Sequence, residues 1–133
     1  MDFKDLRVKG PVKSFRDLEV YQKTVELASN IRITFNDDDV VRIAEQIPEL
    51  IAVAYDEKYE PDGKFHEKLT QAVNLIVKII TKIDLERARF KDDAKKREVL
   101  DMLLTKYQKQ KRKILNLRKA WDMRGEKVAG KSV

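Results

Sequence analysis

Residues 100–121 of the chain read LDMLLTKYQKQKRKILNLRKAW, and this stretch decides the fold. Its apolar residues follow one another at alternating spacings of three and four, with Gln110 in the one gap: Leu100, Leu103, Tyr107, Ile114, Leu117 and Trp121. Such spacing predicts an α-helix that packs nearly parallel to its neighbours along one apolar seam. At about 1.5 Å per residue, the predicted helix is roughly 33 Å long.

The other sides of this helix are strongly basic. From Lys95 to Val133 the chain has 13 Lys and Arg against 4 Asp and Glu, whereas residues 1–94 have 16 against 19. This asymmetry predicts that the C-terminal part binds a polyanion. The alternative is a solvated helix face without a ligand. The candidate nucleic-acid-binding residues are Lys106, Lys109, Arg112, Lys113, Arg118 and Lys119.

Three further amphipathic segments precede this helix. The spacing of apolar residues predicts helices over about 18–35, 40–59 and 64–90, joined by short polar connections. Four such helices predict an all-α, up-and-down four-helix bundle. We therefore divide the chain into an N-terminal arm (1–13), the four-helix bundle (14–121) and a flexible basic tail (122–133). The first helix has its predicted apolar stripe at Leu18, Tyr21, Val25, Ala28, Ile31 and Phe35.

The composition agrees with one helical domain. A length of 133 residues leaves no room for a second core, and 39% charged residues with only 4 Gly and 3 Pro suit long amphipathic helices. The chain has no cysteine, which excludes disulfides and thiol chemistry and agrees with a cytoplasmic location. Its first residues are charged and lack an apolar run, so we expect neither a signal peptide nor a membrane span.

The sequence contains no pattern that predicts a catalytic, cofactor or metal site. His66 is the only histidine, so the paired Glu-x-x-His motifs of di-iron bundles are absent. Asp37, Asp38 and Asp39 could ligate a hard cation, but no calcium-loop spacing follows them, and we interpret them as helix caps. We therefore expect a protein without catalytic residues, cofactor or bound metal.

The second predicted helix is apolar over a wider arc than one bundle seam requires. It carries two adjacent stripes, Val40, Ile43, Ile47, Leu50 and Ala54 beside Val41, Ala44, Ile51 and Tyr55. We expect part of this arc to remain uncovered by three partner helices and to form a subunit interface. In the last helix, Gln110 either lies at a partly exposed position or is buried and fixes the helix register.

The start of the first predicted helix resembles a known family. Residues 14–27, SFRDLEVYQKTVEL, are similar to the opening of the four-helix-bundle proteins encoded in intervening sequences of bacterial 23S ribosomal RNA genes. In that family a phrase close to F-R-x-L-x-V-W-Q-K begins the first helix, and here Tyr21 stands in place of the usual Trp. Residues 46–52, QIPELIA, resemble the family's proline-containing second helix, although Glu49 and Leu50 replace small and polar residues. Beyond residue 55 the resemblance extends only to the architecture.

The same fold is shared by the accessory variability proteins of diversity-generating retroelements. Ala54-Tyr55 and Ala120-Trp121 loosely resemble that branch. The resemblance implies a homopentameric, barrel-like assembly with a basic surface that binds nucleic acid and a reverse transcriptase. Neither branch has catalytic residues that could be transferred to this chain.

These observations together predict a non-enzymatic homo-oligomer, with a pentamer favoured, that binds RNA or DNA through its fourth helix. Because Lys and Arg on a helix face reach phosphates more readily than base edges, we expect binding to tolerate sequence. Tyr107 and Trp121 lie on the apolar seam and are not free to stack on bases, which favours a duplex over a single strand. The rival hypothesis is a protein–protein scaffold that docks an acidic partner on the same basic face.

Overall fold

The computed structural model describes the backbone of residues 12–131 and the side chains of residues 12–123. Within that range the chain is all-helical and without strands, and a short 3-10 turn at Phe15–Asp17 precedes four α-helices. They are α1 (Glu19–Thr34), α2 (Asp38–Glu57), α3 (Lys64–Arg89) and α4 (Ala94–Lys131). This confirms the predicted all-α class with four helices. The predicted N-terminal arm lies outside the described residues, apart from its last two positions.

Polar side chains cap the 3-10 turn, α2 and α4, whereas the N-cap residues of α1 and α3, Leu18 and Gly63, form no side-chain cap hydrogen bond. Ser14 and Asp17 close a capping box around the 3-10 turn, in which the Asp17 carboxylate accepts a hydrogen bond from Ser14 N at 3.2 Å. Asp37 Oδ1 accepts from Asp39 N at 2.9 Å at the start of α2. Asp93 Oδ1 accepts from a backbone N–H in the first turn of α4 at 3.1 Å. The capping interpretation is confirmed for Asp37, whereas Asp38 and Asp39 lie within the first turn of α2.

The helices pack in chain order around one apolar core. α1 packs against α2, α2 against α3, α3 against α4, and α4 closes the bundle against α1. As a consequence α2 and α4 lie diagonally opposite each other. None of the helices in the described part of the chain is long and apolar enough to cross a membrane. The largest fully buried side chains are Ile31, Val40, Ile47, Ile51, Leu69, Ile76, Ile79, Ile83, Leu100, Leu103, Tyr107 and Ile114.

The buried face of α1 differs from the predicted stripe in its first half. The last three stripe residues are buried as predicted, but the first three are only half-buried: Leu18, Tyr21 and Val25. The structure instead buries Val20, Gln22, Thr24 and Leu27. Thr24 can face the core because its hydroxyl donates to Val20 O at 2.7 Å, and Gln22 can because its amide donates to Arg16 O at 2.9 Å. The predicted stripe omitted Thr24 and Gln22 because it was built from apolar residues alone.

The apolar seam of α4 is confirmed and ends at Trp121. All of its positions are buried except Leu117, which is half-buried. The backbone of α4 stays helical from residue 122 to Lys131, where the sequence predicts a flexible tail. This stretch contains no proline, and its two glycines, Gly125 and Gly130, lower helix propensity without preventing a helix.

Two polar atoms in the α4 seam are buried without a hydrogen-bond partner among the described residues. They are the phenolic oxygen of Tyr107 and Oε1 of Gln110. Burial raises the pKa of the Tyr107 phenol, so its hydroxyl stays protonated. Gln110 is only 3% exposed, and a buried carbonyl oxygen without a donor costs stability. The structure therefore excludes the partly exposed alternative for Gln110.

Replacing Gln110 should stabilise the fold. Gln110→Leu removes the unpartnered oxygen and extends the apolar seam, so the free energy of unfolding should rise by about 1 kcal/mol. Urea unfolding followed by circular dichroism measures this change. The matched control is Gln108→Leu on the exposed side of the same helix, which should shift the free energy by less than about 0.5 kcal/mol. A loss of stability in Gln110→Leu would mean that the amide forms hydrogen bonds that hold the seam.

Candidate nucleic-acid interface

The basic residues of α4 lie on the opposite side of the bundle from an acidic helix. Over Asp38–Glu57, α2 has six carboxylates and one basic residue, Arg42. Over residues 94–123, where its side chains are described, α4 has ten Lys and Arg against three Asp and Glu. Since α2 and α4 are diagonal in the bundle, positive potential is concentrated on the α4 side.

Three of the predicted site residues lie on the edge of α4 that faces α1. Lys113 Nζ contacts Glu19 Oε1 at 2.9 Å. Lys106 and Lys109 are exposed and line a cleft of about 110 Å³ that also includes Glu19 and Glu26. Lys23 also lines the cleft and contacts Glu26 at 3.6 Å, so the two carboxylates only partly lower the positive potential along this edge.

Arg118 lies on the other edge of α4, which faces α3. Its Nη1 donates a hydrogen bond to Thr70 Oγ1 at 2.8 Å, and the side chain is half-buried. One turn further along, the Asp122 carboxylate lies 3.4 Å from His66 Nε2. These contacts join the second half of α4 to the start of α3. Arg118 is therefore a bundle contact as well as a candidate phosphate ligand.

Arg112 and Lys119 point outward from α4, away from both neighbouring helices. Both are exposed, and neither forms an ion pair or hydrogen bond within the described part of the chain. They are seven residues apart, about two helical turns, so their side chains leave the helix in nearly the same direction. The six predicted residues thus occupy three sides of α4 and do not form one continuous strip. Four of them are exposed, while Lys113 and Arg118 have partners inside the bundle.

Three uncharged polar residues share the outer side of α4 with Arg112 and Lys119. Thr105, Gln108 and Asn116 are all exposed. The five residues follow one another at spacings of three, four, four and three, which keeps them on one side of a helix. The prediction from charge missed the three uncharged members. The sequence does contain a pattern that identifies them, because these polar residues recur at helical spacing on the side of α4 opposite the apolar seam.

A second candidate surface is the groove between α2 and α3, which encloses about 550 Å³. Apolar residues Leu50, Val53 and Leu75 contribute to its lining, and Val53 remains 43% exposed. The other lining residues are polar or charged: Gln46, Glu49, Lys68, Gln71, Asn74 and Lys78. Six residues of the predicted wide apolar arc of α2 are buried within one chain, and the other three, Ile43, Leu50 and Tyr55, are half-buried and pack against the core.

Neither surface offers a metal site. Among the described residues, no group of three or more His, Cys, Asp or Glu side chains could hold a metal ion.

The fold and the surface define a class of protein, a four-helix bundle whose basic and acidic helices lie on opposite sides. Comparison with protein-family models, curated proteins and solved structures finds no significant match. The resemblance at residues 14–27 therefore stays a prediction.

Proposed function

We propose that the protein is a non-enzymatic, homo-oligomeric four-helix bundle of the cytoplasm that binds nucleic acid, RNA or DNA, through α4. The observation that supports this most is the set of exposed basic residues on α4: Lys106, Lys109, Arg112 and Lys119. They lie on a helix with net positive charge, diagonally opposite a helix with net negative charge. Such a charge distribution attracts a phosphate backbone and orients the bundle with α4 against it.

Salt dependence of binding to a labelled 25-base-pair duplex of random sequence tests this proposal. The affinity should fall as salt rises, because each phosphate that a cation neutralises releases counterions. A plot of log affinity against log salt should have a slope of about −0.9 for each phosphate contacted, so four contacts give roughly −3.6. Fluorescence anisotropy between 50 mM and 200 mM salt measures the slope. Absence of binding at the lower salt concentration, or binding that is independent of salt, would contradict the proposal.

We further propose that the subunits associate through the groove between α2 and α3, in an assembly for which the family resemblance favours a pentamer. The apolar lining at Leu50, Val53 and Leu75, in which Val53 is exposed and the two leucines are half-buried, supports a second copy of the chain as its occupant. The reverse transcriptase partner is part of the same proposal and depends on the resemblance alone. The accessory role that it implies would require no active site in this chain.

Light scattering should give a mass several times the 15.6 kDa of one chain. Val53→Asp should reduce this mass to that of the monomer, because a carboxylate would be buried in the interface. Val77→Asp is the matched control, since Val77 is 44% exposed but lies outside the groove. A monomeric wild-type protein, or equal dissociation by both variants, would count against this interface.

The alternative is a protein–protein scaffold without a nucleic-acid role. The groove of about 550 Å³ favours it, because mixed polar and apolar linings of this kind also accept helices of other proteins. The salt experiment separates the two candidates, since a scaffold of this kind does not require duplex binding.

A further inference from the structure

The outer side of α4 combines side chains that recognise bases with side chains that bind phosphate. We define the outer stripe as Thr105, Gln108, Arg112, Asn116 and Lys119. It lies opposite the buried seam and extends over roughly 21 Å at 1.5 Å per residue. All five side chains are exposed, and the stripe begins one turn after Asp101, whose carboxylate contacts Arg87 Nε at 2.7 Å.

The members of the stripe are available to a ligand. None of the five donates or accepts a side-chain hydrogen bond or forms an ion pair within residues 12–123. The cations beside the stripe differ in this respect, because Lys113 contacts Glu19 and Arg118 donates to Thr70. The unused amide and guanidinium groups are therefore concentrated on the one side of α4 that no other helix covers.

The chemistry of the stripe matches the edges of base pairs. The amides of Gln and Asn can form paired hydrogen bonds with adenine, and Arg and Lys can do so with guanine. These pairs form in the major groove of B-form DNA, which is about 12 Å wide and admits an α-helix. The major groove of A-form RNA is too narrow and deep for side chains to read. The stripe therefore fits duplex DNA better than duplex RNA.

A second stripe of amide and Lys residues exists on α3, and its electrostatic surroundings differ. Gln71, Asn74 and Lys78 are exposed there, but they border α2 and share a groove with its Glu49. α2 has six carboxylates, which repel phosphates close to this stripe. The α4 stripe is instead flanked by Lys106, Lys109, Lys111 and Arg118, which attract the phosphates on both sides of a groove.

We propose that the outer stripe of α4 is a recognition surface that reads base edges in the major groove of B-form DNA. Gln108, Arg112 and Asn116 contact the bases, while Lys109 and Lys119 contact phosphates. The inference rests on the proposed nucleic-acid binding and adds sequence preference to it, in contrast to the sequence-tolerant binding that charge alone predicts.

Selection from a duplex DNA library with a random 20-base-pair centre, followed by sequencing of the bound fraction, tests the inference. The wild-type protein should enrich a short motif, with discrimination on the order of ten- to hundred-fold at the base pairs contacted by an amide or guanidinium group. The double variant Gln108→Ala with Asn116→Ala should lose this enrichment. It leaves the charge unchanged, so its salt slope on random duplex should equal that of the wild type. Alanine favours helix, so the fold should persist.

The control is Ser29→Ala with Asn36→Ala, which removes two exposed, uncharged polar side chains outside both α4 and the groove between α2 and α3 and should retain the enrichment. Binding without enrichment in the wild type would overturn the inference while leaving the proposed function intact. Equal enrichment in both double variants, equal loss in both, or an equal preference on the corresponding RNA duplexes would also overturn it. Failure to bind any duplex would contradict the proposed function itself.

Discussion

Trp121→Ala should lower the free energy of unfolding by about 3–5 kcal/mol, the range for removal of a large aromatic side chain from a core. Trp121 is only 6% exposed although it is at the end of the apolar seam. Its ring packs edge to face against Tyr55 of α2 at a centroid distance of 6.3 Å and against Phe65 of α3 at 5.9 Å. Each such pair contributes about 0.5–1.5 kcal/mol beyond the area that it buries.

Three helices meet at Trp121, so removing its side chain should lower the stability of the whole bundle. Chemical unfolding followed by circular dichroism measures the change in free energy. Met123→Ala is the control on the same helix, since Met123 is 49% exposed and should cost less than about 1 kcal/mol. Equal costs for the two variants would mean that Trp121 is not a core residue.

The triple variant Lys109→Glu, Arg112→Glu and Lys119→Glu should reduce affinity for random duplex on the order of 100-fold at low salt. The three side chains are exposed and have no partner among the described residues, so their reversal acts on the ligand and leaves the bundle contacts unchanged. On random duplex, where the preferred base pairs are absent and all three cations contact phosphates, losing these three contacts should make the slope of log affinity against log salt about 2.7 less steep. Lys113 is not included, because its reversal would place a carboxylate against Glu19.

The control for this variant reverses three exposed lysines outside α4. Lys13, Lys82 and Lys91 are exposed, lie outside the groove between α2 and α3, and give the same change in net charge when replaced by Glu. This control should keep most of the wild-type affinity, and both triple variants should keep the wild-type circular dichroism spectrum and mass. If both triples weaken binding equally, net charge is responsible and α4 is not a specific site. If neither triple variant weakens binding, the basic residues of α4 form a solvated face without a ligand.

The amino-acid sequence was sufficient to predict the helices. Apolar residues at spacings of three and four define one face of a helix whatever its partners are, and polar caps such as Asp37 and Asp93 satisfy backbone N–H groups locally. For this reason the bounds of α1, α2 and α3 lie within about two residues of those predicted. The excess of positive charge on α4 could also be predicted from the sequence, because it follows from the numbers of basic and acidic residues.

Other features depended on how the helices pack. The sequence could not reveal that Thr24 and Gln22 face the core, because their polar groups are satisfied by particular backbone oxygens. It also could not separate Lys113 and Arg118 from the other candidate cations, since their partners Glu19 and Thr70 lie 94 and 48 residues away along the chain. Charge and helical period are local properties, so the sequence alone determined which helices form and which of them is basic. Contacts between distant residues arise only when the chain folds, so the tertiary structure alone decided which cations of α4 are held by neighbouring helices and which remain free to bind.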